Sequence, residues 1–236
     1  MIAVIDSRMP AKAQTDLVLH GYRLCPLPPH PVLEAPVSGH PDMLIFFAPN
    51  AIYCTKSYRE IATKELEFLS DYTRLPIVSV EKEHGHKYPN DILLNTATVG
   101  NRLFCLPSHT ASEILQTKAY EICAVKQGYA KCATLPITSN ALITEDSSIA
   151  TVAKNHALEV LQIHQNGVVL PGYSCGFLGG CASFSPYREN DRIFFCGDLS
   201  AHPNADEIIQ FCKKHRKEPI SLGKIPLTDV GTIFLL

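Results

Sequence analysis

The chain has 236 residues, of which 46% are hydrophobic and 19% are charged, and its formal net charge at pH 7 is -2. This length can bury a substantial core, and the near-neutral charge gives no electrostatic reason to expect nucleic acid or a membrane surface as a partner. No apolar run approaches the roughly 20 residues of a membrane-spanning helix, and the first residues are typical of a β-strand rather than a signal peptide. We therefore expect a cytoplasmic protein that forms a single domain over residues 1–236.

The first elements along the chain are a strand, a helix and a second extended segment. Ile2–Ile5 is predicted as the strand and Ala11–His20 as the helix, which Gly21 is placed to end. Residues 22–27 are extended. The following segment, Pro26–Pro41, is rich in proline, and we expect it to be an irregular connector because proline cannot continue regular elements.

After residue 41 one order of elements, strand–strand–helix–strand, occurs four times. Continuous apolar runs predict strands covered on both faces, while Ser57 and Thr110 each begin a capping-box pattern and Asp146 can cap a third helix. The first strand of each predicted unit lies at Met43–Ala48, Ile92–Val99, Cys132–Thr138 and Gly176–Phe184.

The two ends of the chain each leave an incomplete unit. Thr228–Leu236 is a strand with no predicted partner after it, and the opening segment, residues 2–27, lacks a first strand. Joined, they complete a fifth unit of the same kind. Such closure would remove exposed sheet edges, so we predict that the C-terminal strand pairs with Ile2–Ile5.

The chain contains nine cysteines and no Cys-x-x-Cys pair. Several of them, such as Cys54 and Cys196, lie in apolar strand-like runs, where a thiol behaves as a small hydrophobic group. Without an export signal, reduced thiols are expected rather than disulfides. Their spacing does not indicate zinc. The ligand types of His84 and His86 would permit a metal, but their spacing is unspecific. We predict no metal and no cofactor.

Five units of this order around a pseudo-fivefold axis form the α/β propeller of the pentein, or guanidino-group-modifying enzyme, fold. Four sequence segments also resemble an uncharacterised bacterial family assigned to that fold. They are Tyr88-Pro-Asn-Asp91 with Asn95, Val125–Cys132, Leu142–Asp146 and Leu170–Gly180. The resemblance implies a pentein-like α/β propeller of five ββαβ units, closed by the C-terminal strand.

In penteins the ligand lies at the centre of the ring, among residues at the starts of equivalent strands. Carried onto this chain, the resemblance implies a small-molecule site containing Asp42, Asp91 and Asp229, with Lys131 close by. Several carboxylates around one axis would suit a guanidinium or an amine, or would repel one another and raise a pKa. The predicted ligand-binding residues are Asp42, Asp91, Asn95, Tyr129, Lys131, Tyr173 and Asp229.

Catalytic penteins use a cysteine nucleophile in the loop that leads into the last strand. Here that loop carries Thr228 and Asp229, and an ionised aspartate is a much poorer nucleophile than a thiolate. Two hypotheses follow. The favoured one is binding of a small guanidino or amino compound, or of a protein partner, without the hydrolase chemistry. The alternative is a guanidino- or amidino-modifying enzyme that uses a displaced set, for which Cys132, Cys175 and His84 are the candidates.

Overall fold

The computed structural model describes residues 1–164 and 166–236. Strands and helices alternate along this part of the chain, in agreement with a mixed α/β class. The elements are β1 Ile2–Asp6, α1 Ala11–Leu19, β2 Arg23–Leu27, α2 Pro41–Leu44, β3 Phe46–Ala48, β4 Ala51–Thr55, α3 Lys56–Ile61, α4 Thr63–Thr73, β5 Ile77–Val80, β6 Ala97–Val99, β7 Arg102–Cys105, α5 Ser112–Leu115, β8 Glu121–Ala124, β9 Thr134–Thr138, β10 Ala141–Thr144, α6 Ser147–Asn155, β11 Glu159–Gln162, α7 Leu178–Cys181, β12 Ser183–Phe184, β13 Arg192–Cys196, α8 Ala205–Lys214, β14 Glu218–Leu222 and β15 Ile233–Leu235.

The strands form five small sheets, with the orders β3-β4-β5, β6-β7-β8, β11-β10-β9, β13-β14 and β12-β15-β1-β2. In each of the first three, two antiparallel strands are followed by a helix and a strand parallel to the second, as in the Phe46–Tyr53 and Ile52–Ile77 pairings. The predicted strand–strand–helix–strand order is therefore present in these three sheets, whereas the first strand of the last predicted unit, β12, pairs with β15 and not within the β13-β14 sheet. Within the described residues no sheet closes on itself.

The C-terminal strand is paired on both sides. β15 runs antiparallel to β1, with Ala3 opposite Leu235, and the Ile2 amide donates to the Leu236 carbonyl oxygen at 2.9 Å. On its other side β15 is parallel to β12, with Ser183 opposite Ile233. The predicted pairing of the C-terminal strand with the opening segment is thus found, and this strand lies in the interior of its sheet rather than at an edge.

The first strand of each of the four predicted units begins later along the chain than the sequence predicted. The backbone before β3 and β12 is helical, in α2 and α7, and the backbone before β6 and β9 forms turns. The prediction failed because an apolar run buried on all sides does not distinguish a strand from a short buried helix. In α2, Pro41 occupies the first helical position, where its missing N–H costs nothing. These turns matter because they carry the polar side chains of the candidate site.

Two of the three predicted helix caps are wrong. Thr55, not Ser57, caps α3 by accepting from the Tyr58 amide. Helix α5 ends at Leu115 rather than near Tyr120, and its cap position makes no side-chain hydrogen bond. Asp146 caps α6 as predicted, accepting from Ser148 and Ile149 at 2.8 and 2.9 Å.

The helices cover the sheets with apolar side chains, for example Leu66 and Leu69 of α4 and Ile208 of α8, each 1% exposed or less. All nine cysteines are free thiols, and eight of them are buried in the apolar clusters or among polar groups. Cys175 is the partly exposed exception. No helix in residues 1–164 and 166–236 combines the length and apolarity that a membrane crossing needs.

Candidate functional site

A buried polar network lies in the short helix and the turns that precede four strands, each in a different sheet. Its members are at most 4% exposed. Asp42 lies in α2 before β3, Asn95 precedes β6, Lys131 and Cys132 precede β9, and Thr232 precedes β15. We call these five residues the Asp42 network. Because the turns come from separate sheets, the network joins parts of the chain that are far apart in sequence.

Asp42 is the acceptor at the centre of this network. Its Oδ2 accepts from Thr232 Oγ1 at 2.8 Å and from Cys132 Sγ at 3.2 Å, and its Oδ1 accepts from Asn95 Nδ2 at 3.2 Å. Lys131 donates from Nζ to Thr232 Oγ1 at 3.1 Å and from its backbone amide to Asn95 Oδ1 at 2.8 Å. The carboxyl group therefore has three donors around it, which is how a buried charge is made tolerable.

Asp42 and Lys131 compensate each other electrostatically. Burial raises the pKa of Asp42 and lowers the pKa of Lys131, and in each case the charge of the other residue opposes the shift. Lys131 also lies over the Phe184 ring, with Nζ 5.1 Å from the centroid. The thiol of Cys132 is governed by the same surroundings, because burial and the charges of Asp42 and Asp229 raise its pKa well above the usual value.

Thr232 is held in a strained conformation. Its φ is +70°, directly after Gly231 at +67°. A β-branched residue at positive φ is a genuine outlier that costs roughly 1–3 kcal/mol. The contact with Asp42 and the proximity of the Gly179 carbonyl oxygen, 3.1 Å from Thr232 Oγ1, hold it there. Nothing in the sequence around Thr232 indicates this role.

Asp229 lies in a backbone cradle beside the Asp42 network. Its Oδ2 accepts from the Phe177 amide at 2.9 Å and its Oδ1 from the Gly231 amide at 3.0 Å. A Cβ added at Gly180 would collide with Asp229 Oδ1, so glycine is required for this close approach. Burial raises the pKa of Asp229, and the charge of Asp42 adds to that shift.

His40 is the neighbour of Asp229 that the sequence analysis missed. Its Nδ1 lies 3.8 Å from Asp229 Oδ1 and has no hydrogen-bond partner within the described residues. Burial lowers the pKa of His40, which favours the neutral imidazole, although Asp229 opposes this shift. Asp229 and His40 border a pocket of about 450 Å³ that is also lined by Asp6, Arg8 and Thr228.

Glu145 is a further residue that the sequence analysis missed, although it lies within the Leu142–Asp146 motif. Its Oε1 accepts from the Leu178 amide at 2.6 Å, one residue along from the amide that binds Asp229. Its Oε2 is buried and has no donor in the described part of the chain. Burial, assisted by the charges of Asp229 and Asp146, raises the pKa of Glu145 to about 8.

Asp91 belongs to a different set of contacts. Its Oδ2 accepts from the Tyr129 hydroxyl at 2.7 Å, while its Oδ1 is buried without a partner among the described residues. The Tyr129 ring packs on Tyr88 with centroids 5.4 Å apart, and Tyr173 donates to Glu34 at 2.7 Å. Burial raises the pKa of Asp91, and the Tyr129 hydroxyl opposes this shift.

Two of the three predicted aspartates, Asp42 and Asp229, therefore share a neighbour, whereas Asp91 has separate contacts. Asp42 and Asp229 both act electrostatically on Lys131, which lies close by as predicted. Asp91 makes no hydrogen bond to Asp42, Asp229 or Lys131 in the residues that the structure describes, and bonds Tyr129 instead. Asn95, a predicted ligand-binding residue of the same motif, donates to Asp42 and belongs to the Asp42 network.

The structure does not assemble the candidate nucleophiles with a base. His84 is buried, its Nδ1 lies 3.1 Å from the Asp91 carbonyl oxygen, and burial lowers its pKa to about 4. No hydrogen bond among the described residues joins His84 to Cys132 or Cys175. A reactive thiol needs a lowered pKa, and Cys132 has a raised one. Among the described residues, the hydrogen-bond partner of Cys175 is the Ser174 hydroxyl, at 3.9 Å.

Solved structures with a similar fold include two amidinotransferases and an agmatine deiminase. SxtG, an amidinotransferase from Microseira wollei in the saxitoxin biosynthetic pathway, superposes with a TM-score of 0.55 at 11% identity, over 90% of this chain and 74% of that one. Inosamine-phosphate amidinotransferase StrB1 from Streptomyces griseus gives 0.45 at 12% identity over 88% and 72% of the two chains. Agmatine deiminase from C. jejuni gives 0.45 at 12% over 74% and 63%.

The chain belongs to the family of unknown function DUF6873, whose model matches residues 4–234. No curated protein matches its sequence significantly. The pentein resemblance read from the sequence motifs is confirmed at the level of the fold, because SxtG superposes over 90% of this chain and the matching family is one of unknown function. At 11% identity the likeness to SxtG establishes the fold and not the activity.

Proposed function

We propose that residues 1–236 form one pentein-like domain in which five ββαβ units surround a common axis, closed by β15. The proposal is supported by the five small sheets and by the position of β15 between β1 and β12. It is also supported by the Asp42 network, because segments from four sheets meet there and bring Asp42, Asn95, Lys131 and Thr232 into hydrogen-bond contact.

We further propose that the protein binds a small cationic guanidino or amino compound beside the buried carboxylates outside the Asp42 network. The observation that carries this proposal is the absence of a cation to neutralise them in the described residues. Asp91 and Glu145 each keep a buried oxygen without a donor, and the ion pair that Asp229 makes in the described residues is with His40, whose pKa is lowered by burial. A guanidinium or ammonium would supply the missing donors.

The same surroundings disfavour the cysteine chemistry of the catalytic penteins. The loop before β15 presents Asp229, which is cradled by two amides and directed at no thiol. The fully buried Cys132 donates to Asp42 Oδ2 and has a raised pKa, the reverse of an activated nucleophile. Binding without turnover is therefore the function that the geometry supports best.

The test is calorimetric titration with agmatine and arginine. Citrulline, whose side chain is uncharged, is the control. The cations should bind more tightly than citrulline, and the affinity should rise from pH 7 to pH 9 because Glu145, with a pKa of about 8, loses its proton over that range. Glu145→Gln should weaken binding and remove the pH dependence, whereas Glu67→Gln, on the exposed face of α4, should not. Equal affinity for citrulline, or no binding of either cation, would refute the proposal.

A second candidate, a guanidino-modifying enzyme with a displaced nucleophile, is favoured by one observation. Cys175 is the only thiol that is not buried, and the next residue, Gly176, lies against Asp229. Turnover of arginine, agmatine or a methylated arginine that is lost in Cys175→Ser and kept in Cys132→Ser would establish this alternative. Absence of turnover with these substrates leaves the binding proposal as the better account.

A further inference from the structure

A cleft of about 300 Å³ lies at the far end of the first strands from Asp229. Asp42, Lys131 and Asp229 precede β3, β9 and β15, whereas the cleft is lined by the hairpin turns at Gly100 and Ser139 that follow β6 and β9. The segment after β12 supplies the remaining wall. The cleft is thus separate from the carboxylates of the proposed cation site.

The charged side chains in this cleft are mostly positive. Arg188, Arg192 and Lys217 line it, against the single acid Glu189. Arg192 has a partner outside the cleft, since its Nε lies 3.6 Å from Glu218, but both of these side chains are at least half exposed and water screens their attraction. The excess of positive charge favours an anionic ligand.

Lys217 is the cation whose environment is unusual. Its side chain is 5% exposed, and in the described residues its ammonium pairs with Glu189, 3.6 Å away and 66% exposed. This separation is longer than a hydrogen bond. An ammonium has three donors, so Lys217 can also contact a ligand in the cleft. The backbone holds Lys217 in place, because its amide donates to the Cys212 carbonyl oxygen at 2.9 Å directly after Arg216 at a φ of +56°.

The remaining walls combine apolar surface with one unused polar group. Ser185 Oγ is buried and has no hydrogen-bond partner in residues 1–164 and 166–236. Apolar surface comes from Pro136, Ile137, Phe184, Pro186 and Tyr187. A volume of about 300 Å³ is at the small end of the range for ligand pockets. We propose that this cleft binds a small organic oxyanion, a carboxylate or a phosphate monoester on an apolar body, with Lys217 contacting the anionic group.

The two oxyanion classes are separated by titrating the full chain with benzoate and with phenyl phosphate in low-salt buffer at pH 7. Benzyl alcohol and inorganic phosphate serve as the probes that lack the charge and the apolar body. At least one aromatic anion should bind about tenfold or more tightly than benzyl alcohol, and the tighter of the two identifies the headgroup. Inorganic phosphate should bind more weakly than phenyl phosphate. No preference for the anions over benzyl alcohol would overturn the proposal.

Single-residue variants test whether Lys217 contacts the anionic group. Lys217→Met should weaken anion binding roughly tenfold to hundredfold, as expected for loss of a charged hydrogen bond. Lys214→Met is the matched control, because Lys214, the last residue of α8, lies three residues before Lys217 but is 64% exposed and bonds Glu159 outside the cleft. If Lys217→Met does not fold, Arg192→Gln at a half-exposed position decides the matter and should weaken binding severalfold. Unchanged affinity in the folded variants would refute the assignment.

Discussion

Buried carboxylates inside and outside the Asp42 network differ in how their charge is compensated. In the Asp42 network the carboxylate has three donors, and a lysine compensates its charge. The second region comprises the buried carboxylates outside this network, of which Asp91 and Glu145 each retain an oxygen with no donor in the described residues. A satisfied buried network stabilises one arrangement of the core, whereas unsatisfied acceptors weaken the fold unless something binds them. The contrast supports the proposal that the Asp42 network is structural and that a ligand binds in the second region.

The largest effect should come from breaking the Asp42 network. Lys131→Met leaves Asp42 buried without its cation, and loss of one partner of a buried pair costs about 3–5 kcal/mol. The free energy of unfolding, measured by urea titration, should fall by that amount. Lys126→Met, at an exposed position, is the control and should change little.

A double variant sharpens this interpretation. Asp42→Asn combined with Lys131→Met removes both charges, so it should recover much of the loss caused by Lys131→Met alone. If the single Lys131 variant is as stable as the wild type, the Asp42 network has no structural role, and the distinction between the two regions fails.

The sequence predicted the order of the helices and strands but not the contacts of the candidate site. Turn signals, apolar runs and the cap at Asp146 are local, so the order of elements could be read from them. The contacts of the site are not local, since Thr232 and Asp42 are 190 residues apart. Glu145 was overlooked because its neighbour Asp146 accounted for the motif as a helix cap. His40 lies in a proline-rich segment that has no periodicity to assign.

A smaller effect, of opposite sign, is expected in the second region. The pKa of Glu145 is raised from 4.5 to about 8 in the folded protein, so the folded state binds the extra proton between these values. Stability attributable to Glu145 should therefore decrease as the pH rises from about 4.5 to 8 and stay constant above that. Glu145→Gln keeps the neutral shape at every pH.

At pH 8 the Glu145→Gln variant should consequently be more stable than the wild type, by about 3–4 kcal/mol, while at pH 5 the two should be similar. Thermal unfolding at both pH values measures this difference. A variant that is less stable than the wild type at pH 8 would mean that the ionised Glu145 is already compensated, and the case for a cationic ligand at this carboxylate would be lost.

The smallest change in stability should accompany the most specific change in binding. Asp91→Asn preserves the side-chain shape and an acceptor for the Tyr129 hydroxyl. It removes the charge of a carboxylate whose Oδ1 has no partner in the described part of the chain. Because burial already raises the pKa of Asp91, loss of the charge should alter the free energy of unfolding by about 1 kcal/mol or less.

Affinity for agmatine should fall about tenfold or more, since a charged hydrogen bond to the ligand would be lost. Paired urea and calorimetric titrations separate the two quantities. An Asp91→Asn protein that binds agmatine as the wild type does would show that this carboxylate is no part of the ligand site, whatever Glu145 and Asp229 contribute.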